Sequence, residues 1–301
     1  MHADHAMYRA KRTGRRRVVQ FDQELRSEIH ERSGLETRLR QAIRENTLSA
    51  DGQPIFNIET GEIRAVELLA RWRLPGGGSV PPSVFIPLAE DIGLIGDLTR
   101  SMLRIAGTML QVWAEDPLLR HARISVNVSA VEFVRGRLVE SVADTMTEFE
   151  IRPGRLVLEL TESQHLGDNA IGVEQFHVMR AMGVRFAVDD FGAGYSSLDQ
   201  LLSLPIDWVK LDMSLIGELG IDPRQTALLR SIHSLASVVG QSVVVEGLET
   251  QAQLDELRRI GATHAQGYLL SRPVPIEELP AHVAGLGSST NALLYPSVPD
   301  H

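Results

Sequence analysis

Polar side chains that could bind cations recur along this sequence directly after short runs of β-branched and aliphatic residues. Five of the seven positions contain a carboxylate, and the other two are amides; the set is Glu67, Asn127, Glu159, Asp189 with Asp190, Lys210 with Asp212, Glu246 and Gln266. Carboxylate and amide oxygens are the ligands that hard cations such as Mg²⁺ and Mn²⁺ prefer. The residue types therefore predict a divalent-metal site, provided that the fold brings them together.

Each position also has an ordinary structural interpretation. A single glutamate at the end of a strand is most often a solvated or ion-paired surface residue, and Asp189-Asp190 could open a loop or cap a helix. A succession of polar strand ends favours one shared site instead. Carboxylates crowded into one mouth raise one another's pKa, and a bound cation relieves that repulsion.

Several other catalytic classes lack their sequence signatures. The ten histidines form no HExxH motif, there is no G-x-S-x-G elbow or Walker loop, and Gly192-Ala193-Gly194 lacks the third glycine of a dinucleotide fingerprint. The absence of cysteine excludes disulfides, thiolate metal sites and cysteine nucleophiles. It suits a reducing compartment, and we expect a cytoplasmic protein.

The predicted elements place these side chains on one rim. Strand-like segments at 63–69, 124–128, 156–160, 185–188, 208–211, 242–245 and 265–269 alternate with helix-like segments at 98–113, 138–149, 173–182, 226–239 and 251–260. This alternation from about 48 to 283 predicts an α/β barrel in preference to a doubly wound open sheet. The carboxyl ends of barrel strands converge on the rim where active sites lie.

Composition limits the partners. Lys and Arg total 30 against 39 for Asp and Glu, so the net charge of −9 disfavours DNA or RNA as a ligand. No stretch of about 18 apolar residues could insert into a membrane. A phosphate-ester substrate would need positive charge to shield it from the acidic chain, and divalent cations could supply that charge.

A set of motifs carries a family resemblance. The segment Glu67-Leu68-Leu69-Ala70-Arg71-Trp72 resembles the signature of EAL domains. Further similar segments follow at 82–90 (PSVFIPLAE), 126–130 (VNVSA), 159–163 (ELTES), 189–198 (DDFGAGYSSL), 210–212 (KLD), 246–250 (EGLET) and 266–268 (QGY). The resemblance covers about residues 35–285, and the ordered set is far more specific than a lone E-x-L.

The resemblance implies a modified TIM (β/α)8 barrel with one antiparallel strand, preceded by a linker helix. It also implies a phosphodiesterase that hydrolyses cyclic di-GMP to linear pGpG with two Mg²⁺ or Mn²⁺ ions, with Ca²⁺ expected to inhibit. The implied ligands of the metals are Glu67, Asn127, Glu159, Asp189, Asp190 and Glu246, with Asp189 bridging. The alternative is a catalytically silent cyclic di-GMP receptor, and a module that neither binds nor cleaves the nucleotide is a third possibility.

The resemblance assigns further roles. Lys210 would orient or help to activate the attacking water, assisted by Asp212 and Gln266, and Glu67 belongs to the same catalytic set. Contacts to the substrate are implied for Arg71, Leu69, Gln53 and Gln266. A loop linked to dimerisation in this family is implied for Phe191, Gly192 and Gly194, held by Glu162, with Glu249 as a supporting acid. A homodimer is expected.

Two departures from the family pattern concern packing. Leu68 stands where the signature has alanine, and Val245 stands where a smaller alanine is usual. Because Glu67 and Glu246 face inward, their neighbours Leu68 and Val245 should face the surrounding helices. Leu270 replaces a common phenylalanine. No aligned ligand position is missing.

The organisation of the chain follows from the same comparison. Residues 1–21 resemble the end of a GGDEF domain without the cyclase signature, so we expect the sequence to be part of a longer protein. Residues 22–34 are predicted as a linker helix within a helical pattern at 23–47 that Gly34 could interrupt. The EAL-like domain is predicted at 35–286, followed by a flexible tail at 287–301.

Overall fold

The computed structural model describes residues 23–135, 137–161, 170–192 and 205–294. Its strands are β1 (Ser49–Asn57), β2 (Ile63–Arg73), β3 (Ser79–Val80), β4 (Arg123–Asn127), β5 (Leu156–Thr161), β6 (Arg185–Phe191), β7 (Trp208–Leu211), β8 (Ser242–Val245), β9 (His264–Ala265) and β10 (Val274–Pro275). Its α-helices are α1 (Gln23–Arg44), α2 (Pro82–Asp91), α3 (Ile95–Val112), α4 (Ala130–Arg135), α5 (Leu138–Glu148), α6 (Ala170–Ala181), α7 (Pro223–Val238), α8 (Gln251–Ile260) and α9 (Leu279–Leu294). Short 3-10 turns occupy Trp113–Glu115, Met213–Leu215 and Ile276–Glu278.

Eight of the described strands close into a barrel. Neighbours from β2 through β4, β5, β6, β7 and β8 to β9 pair in parallel. Strand β1 closes the ring by pairing antiparallel with both β2 and β9. The short strands β3 and β10 add to the edges of β2 and β1. The prediction of a (β/α)8 barrel with one reversed strand is confirmed.

Strand β1 was not among the strands predicted from the pattern, because its Asp51-Gly52-Gln53-Pro54 core has the composition of a turn. Gly52 is needed for packing, since a Cβ at this position would lie 2.5 Å from Ile276 Cδ1 and 3.0 Å from Val66 Cγ1. Pro54 pairs with Val66 on one side, and on the other it lies between the residues that pair with β10 and β9. A missing N–H is tolerated at such a position.

The interior of the barrel is layered. A lower apolar layer consists of Ile55, Ala65, Val157, Ala187, Trp208 and Val244. The guanidinium of Arg123 lies over the Trp208 ring, 5.0 Å from its centre. Side chains of the next residues on these strands point to the outer face, and those one residue further on point inward again. On the parallel strands, polar residues two positions after the apolar layer therefore face the mouth, and on the reversed strand β1 the corresponding residue, Gln53, comes two positions before Ile55.

The outer face of the sheet packs on the helices. Leu68 and Val245 are buried in the core outside the barrel, as predicted. Helix α3 buries a stripe at spacings of three and four, from Ile95 and Leu98 through Met102 to Leu110. Helix α8 begins with a capping box between Thr250 and Gln253, and it ends at Gly261 in the left-handed conformation.

Three observed elements have bounds that differ from those suggested by the sequence pattern. Helix α1 runs unbroken through Gly34 and buries Leu39 completely, so the predicted division at 34/35 lies inside one helix. Strand β9 ends at Ala265 rather than at 269, because the chain turns at Gly267 against the Leu248 backbone. Helix α9 continues to Leu294, so residues 287–294 are helical rather than part of a loose tail. No proline precedes Pro296 there to stop the helix.

No described helix combines the length and the apolar character that crossing a bilayer would require. The predicted GGDEF remnant at 1–21 and the final residues 295–301 lie outside the described residues.

Candidate metal centre

The strand ends bring the predicted polar residues into one mouth. Glu67, Glu159, Asp189 and Lys210 lie on β2, β5, β6 and β7, each two residues after a member of the apolar layer. Asn127 ends β4, and Glu246 and Gln266 directly follow β8 and β9. The interpretation of separate surface residues is wrong for the central group, since Glu67, Glu159 and Lys210 are 6%, 0% and 1% exposed.

Lys210 stands at the centre of the carboxylates. Its Nζ lies 2.8 Å from Glu159 Oε2, 2.8 Å from Glu246 Oε1, 3.0 Å from Asp189 Oδ1 and 3.1 Å from Glu67 Oε2. One ammonium therefore contacts carboxylates on three strands, β2, β5 and β6, and the carboxylate that directly follows β8. In a buried setting these ion pairs are far less screened than surface pairs. The sequence pattern placed Lys210 on the rim but did not predict this central position.

Two groups of carboxylates are close enough to hold metal ions. In the first group, Glu67, Glu159 and Asp189, the oxygens lie within 4.8 Å of one another, and the same holds for the second group, Asp189, Asp190 and Glu246. Asp189 belongs to both groups. Asp190 has a left-handed backbone with φ of 56°, a conformation tolerated better by Asp than by most residues. This turn lets two consecutive carboxylates serve one mouth.

Burial and mutual repulsion set the charges in this mouth. Burial, together with the Asp189 and Glu67 carboxylates, raises the pKa of Glu246 to about 8 against the opposing effect of the Lys210 ammonium. The pKa of Glu159 is raised well above its usual value, chiefly by burial and again despite Lys210. The pKa of Lys210 is also raised well above its usual value: burial opposes its charge, but the surrounding carboxylates outweigh burial. Lys210 therefore stays protonated.

Glu67 behaves differently from its neighbours. Burial raises its pKa, but Lys210 and the hydrogen bonds from Gln266 and Asn127 together outweigh burial, and the net pKa is lowered. Gln266 Nε2 lies 2.8 Å from Glu67 Oε2, and Asn127 Nδ2 lies 3.1 Å from Glu67 Oε1. Gln266 Nε2 also donates to Gln53 Oε1 at 3.0 Å. Glu67 is thus held as an oriented carboxylate anion at neutral pH.

The donor set fits divalent cations. Five carboxylates (Glu67, Glu159, Asp189, Asp190 and Glu246) face one ammonium, and Oε1 of the fully buried Glu159 has no hydrogen-bond partner among the described residues. A buried carboxylate oxygen without a donor is costly unless a cation binds it. The second Asn127 amide atom, Oδ1, is the type of neutral oxygen that Mg²⁺ and Mn²⁺ accept beside carboxylates.

The predicted substrate contacts continue from this centre along β2. Leu69 and Arg71 share the face of Glu67 because side chains alternate along a strand. Arg71 Nε lies 2.6 Å from Asp51 Oδ2, and Arg73 Nη2 lies 3.2 Å from Asp51 Oδ1. Asp51 was not singled out from the sequence, because it falls in the turn-like segment of β1. It fixes the Arg71 guanidinium at the edge of the mouth.

The remaining predicted residues lie around the rim. Asp212 Oδ1 accepts from Ser214 N at 2.9 Å and caps the turn after β7. Burial and the nearby Asp189 and Asp212 carboxylates raise the pKa of Asp190, so Asp212 acts on the same electrostatic site. Glu249 is exposed on the loop after β8, and the described contacts do not join its carboxylate to the acidic groups.

The predicted loop is described only in part. Phe191 is buried at the end of β6, and Gly192 follows with φ of 97°. A Cβ on Gly192 would lie 2.4 Å from Leu215 Cδ1, so the close packing requires glycine there. Glu162 and Gly194, predicted to hold and form this loop, lie outside the described residues.

A polar support beneath Asn127 was not predicted. Ser129 Oγ donates to Glu90 Oε1 at 2.7 Å, and Ser129 N donates to Glu132 Oε2 at 3.1 Å. Glu132 Oε2 also accepts from Thr99 Oγ1 at 2.8 Å. Burial raises the pKa of Glu132, partly opposed by these two hydrogen bonds. The segment carrying Asn127 is therefore fastened to α2 and α3 two residues after the amide.

Comparisons with known proteins agree with this geometry. The sequence-family model of the EAL domain matches residues 36–273 of the chain. The chain is 37% identical over 286 residues to the bifunctional diguanylate cyclase/cyclic di-GMP phosphodiesterase MucR of Pseudomonas aeruginosa, covering 94% of this chain and 41% of MucR. It is 38% identical over 242 residues to PdeG of Escherichia coli, named a probable cyclic di-GMP phosphodiesterase, covering 80% of this chain and 47% of PdeG.

Solved structures show the same fold. The PaMucR phosphodiesterase in complex with cyclic di-GMP superposes with a TM-score of 0.75 at 36% identity, covering 82% of this chain and 99% of that one. The EAL enzyme Bd1971, bound to cAMP and cyclic di-GMP, gives a TM-score of 0.78 at 27% identity, covering 85% of this chain and 70% of that one. The chain spans less than half the length of the curated relatives MucR and PdeG.

Proposed function

Because the chain belongs to the EAL-domain family, we propose that it hydrolyses cyclic di-GMP to linear pGpG as a metal-dependent phosphodiesterase. Relatives with this activity in their names and a solved complex with cyclic di-GMP support the proposal. The observation that carries it is the pair of carboxylate groups that share Asp189 around the Lys210 ammonium. A nucleotide-binding module without catalysis would need neither feature.

Two Mg²⁺ or Mn²⁺ ions fit the oxygen ligands of the mouth. Glu67, Asn127, Glu159 and Asp189 would hold the first ion, and Asp189, Asp190 and Glu246 would hold the second. When bound, such a pair supplies Lewis acidity to a phosphoryl oxygen and lowers the pKa of water. The orphaned Glu159 oxygen and the raised pKa of Glu246 both favour a cation-loaded site, because a cation stabilises the ionised carboxylates.

Lys210 acts as a charged donor in this proposal. With its pKa raised well above the usual value, the ammonium keeps its proton at neutral pH and cannot serve as the general base. It donates hydrogen bonds to the carboxylates, orients the attacking water among them and stabilises negative charge that develops on the phosphoryl oxygens. Gln266 holds Glu67 in position, and Asp212 adds negative charge at the outer side of the mouth.

The substrate would enter along the inward face of β2. Arg71 offers a guanidinium whose orientation is fixed by Asp51, and guanidinium forks bind phosphate oxygens in pairs. Leu69 provides an apolar surface between Arg71 and Glu67, and Gln53 provides an amide beside Gln266. We assign these residues to binding one phosphate and the adjoining sugar.

Regulation through the loop from Phe191 remains part of the proposal. Glu162 would anchor the loop with Gly194, and Glu249, on the loop after β8, would be a supporting acid. A homodimer in the cytoplasm is the expected assembly. Sedimentation velocity of the purified protein tests the assembly directly, and a fully active monomer would refute it.

One assay tests the function. The protein is incubated with cyclic di-GMP and Mg²⁺, Mn²⁺ or Ca²⁺, and products are separated by chromatography. We expect pGpG with Mg²⁺ or Mn²⁺ and inhibition by Ca²⁺, whose larger and more flexible coordination fits the compact site poorly. Binding of cyclic di-GMP without pGpG release would make the protein a receptor. Absence of both would leave it an interaction module.

A further inference from the structure

A second concave site lies on the outside of the barrel, between the C-terminal half of α1 and the N-terminal half of α3. We call it the α1–α3 pocket, and its volume is about 350 Å³. Four arginines line it, Arg40, Arg44, Arg100 and Arg104, and the acidic residue in its wall is Asp97. The pocket shares none of its lining residues with the metal centre.

The arginines occupy facing helical rows. Arg40 and Arg44 are four residues apart on α1, and Arg100 and Arg104 are four residues apart on α3. Side chains at this spacing lie on one face of a helix, and like charges there destabilise the helix. The sequence therefore sets a repelling pair on each of two helices and brings the pairs to one cavity. An anion bound in the cavity would reduce the repulsion within each pair.

The protein itself compensates only part of this charge. Arg104 contacts Glu148 at 3.0 Å, and Arg100 contacts Asp97 at 3.5 Å. The ion pairs within the described residues include neither Arg40 nor Arg44. The chain has a net charge of −9, whereas the charged residues that line this pocket carry a net positive charge.

The pocket also has an apolar side. Ile43 and Leu94 line it and pack on the hydrophobic core, so their positions are fixed by the fold. A cavity of this size lies at the lower end of the range for small-molecule sites. Apolar surface beside several guanidinium groups suits a ligand that has both phosphate groups and a carbon framework.

We propose that the α1–α3 pocket binds a phosphate-bearing small molecule of nucleotide size or smaller. Its phosphate oxygens accept hydrogen bonds from Arg40 and Arg44 on one side and from Arg100 and Arg104 on the other. The bound ligand thereby fastens α1 to α3. This goes beyond the hydrolysis of cyclic di-GMP, and it holds whether or not the barrel mouth is catalytic.

Calorimetric titration tests the proposal in a low-salt buffer freed of divalent ions, which keeps phosphates from binding through metals. Inorganic phosphate, pyrophosphate and ATP are each titrated into the wild-type protein, the Arg40→Gln/Arg100→Gln double variant and the Arg224→Gln/Arg230→Gln double variant. The last pair removes the same charge from exposed positions on α7.

We expect one binding site whose affinity for pyrophosphate or ATP falls with added salt. Arg40→Gln/Arg100→Gln should weaken binding by at least about tenfold, since each charge-assisted hydrogen bond contributes at least that factor. Arg224→Gln/Arg230→Gln should leave the affinity unchanged. Tighter binding of ATP than of pyrophosphate supports a nucleotide, and equal binding supports a ligand recognised through its phosphates alone.

Two results would overturn the proposal: no binding by the wild type at millimolar concentrations, or equal loss in both double variants. The thermal midpoint of each variant, followed by circular dichroism, reports folding. Relief of repulsion should keep the midpoint of Arg40→Gln/Arg100→Gln at or above that of the wild type. Should this pair misfold, Arg44→Gln/Arg104→Gln removes the complementary half of the same site and must meet the same expectation.

Discussion

The ammonium of Lys210 lies 2.8 Å from Oε2 of Glu159, and both side chains are almost completely buried. A buried ion pair of this kind is costly to desolvate, and removing one partner leaves the other charge uncompensated. Lys210 meets three further carboxylates as well, so it is the main positive charge that the protein places in the mouth. Its removal should therefore affect both stability and catalysis.

Lys210→Met keeps most of the unbranched side chain and removes its charge. We expect turnover of cyclic di-GMP to fall at least about a hundredfold, in line with losses of a single electrostatic donor in other active sites. Without divalent ions, the free energy of unfolding should fall by about 3 kcal/mol, and Mn²⁺ should restore part of it. Urea titrations with and without Mn²⁺ measure this. The exposed Arg230→Met serves as control, and wild-type turnover by Lys210→Met would refute the assigned role.

Ser129→Ala tests the support beneath Asn127. Loss of the Ser129 hydroxyl leaves Glu90 without its 2.7 Å hydrogen bond and loosens the segment after β4. Partners that orient metal ligands typically change metal affinity by about 10- to 100-fold. We expect the Mn²⁺ concentration for half-maximal activity to rise by about tenfold, with little change in the thermal midpoint.

The matched control for Ser129→Ala is Thr108→Ala, which removes a hydroxyl bonded only to the Arg104 carbonyl on an exposed helix face. The two variants remove comparable polar groups. A rise in the Mn²⁺ requirement that is the same in both variants, or absent in both, would show that Ser129 does not position Asn127.

Gly267→Ala tests the tight turn after Gln266. A Cβ at Gly267 would lie 2.2 Å from both N and O of Leu248, which are backbone atoms that cannot rotate away. We expect a loss of about 2 kcal/mol or more in the free energy of unfolding and displacement of Gln266 from Glu67. Urea denaturation measures the first effect, and the KM for cyclic di-GMP measures the second.

Gly261→Ala provides the comparison for Gly267→Ala. Gly261 has φ of 86° but no atom within 4 Å of an added Cβ, so only backbone strain of about 1 kcal/mol is expected. If Gly261→Ala destabilised the protein more than Gly267→Ala, the close approach of Leu248 would not be the dominant constraint.

His264 predicts a pH dependence of stability. Burial, together with the nearby Arg64 and Arg123 guanidinium groups, lowers its pKa to about 4. In the unfolded chain the imidazole has a pKa of about 6.5, so the unfolded state takes up the proton first as the pH falls. Stability should be complete above pH of about 6.5, decline towards pH 4 and level off below it.

The decline due to His264 should reach at most about 3 kcal/mol. The measurement is urea denaturation of wild type and His264→Gln at a series of pH values. The variant also loses the stacking of the imidazole on Trp208, so the slope with pH is compared rather than the absolute stability. Parallel slopes would show that His264 is protonated equally in both states.

Sequence patterns predicted the helices and strands best where the residue types themselves favour the conformation that the backbone adopts. Strands β7 and β8 match their predicted bounds because their residues are almost all apolar or β-branched. Strand β1 was not predicted because its extended backbone depends on pairing with β2 and on packing against Ile276, and the residue types of the segment itself do not indicate a strand. Helix α1 continues through Gly34 because the cost of a glycine inside a helix, about 1 kcal/mol, is smaller than the contribution of buried residues such as Leu39.

The sequence predicted which residues form the metal centre, but it did not predict how they are arranged. Alternation along strands and the convergence of strand ends were sufficient to group Glu67, Glu159 and Asp189. The central position of Lys210 depends on the closure of the barrel, which no local pattern contains. The contact of Ser129 with Glu90 joins residues 39 positions apart, and the two motifs that contain them carry no sign that they touch.

Helix α1 has one more implication. Its 22 residues extend over about 33 Å as a single rod, and its inner end is gripped by the core at Leu39 and Ala42. No break in the helix separates Gln23 from these buried residues. A rotation of the helix at Gln23 would therefore reach the buried contacts of Leu39 and Ala42.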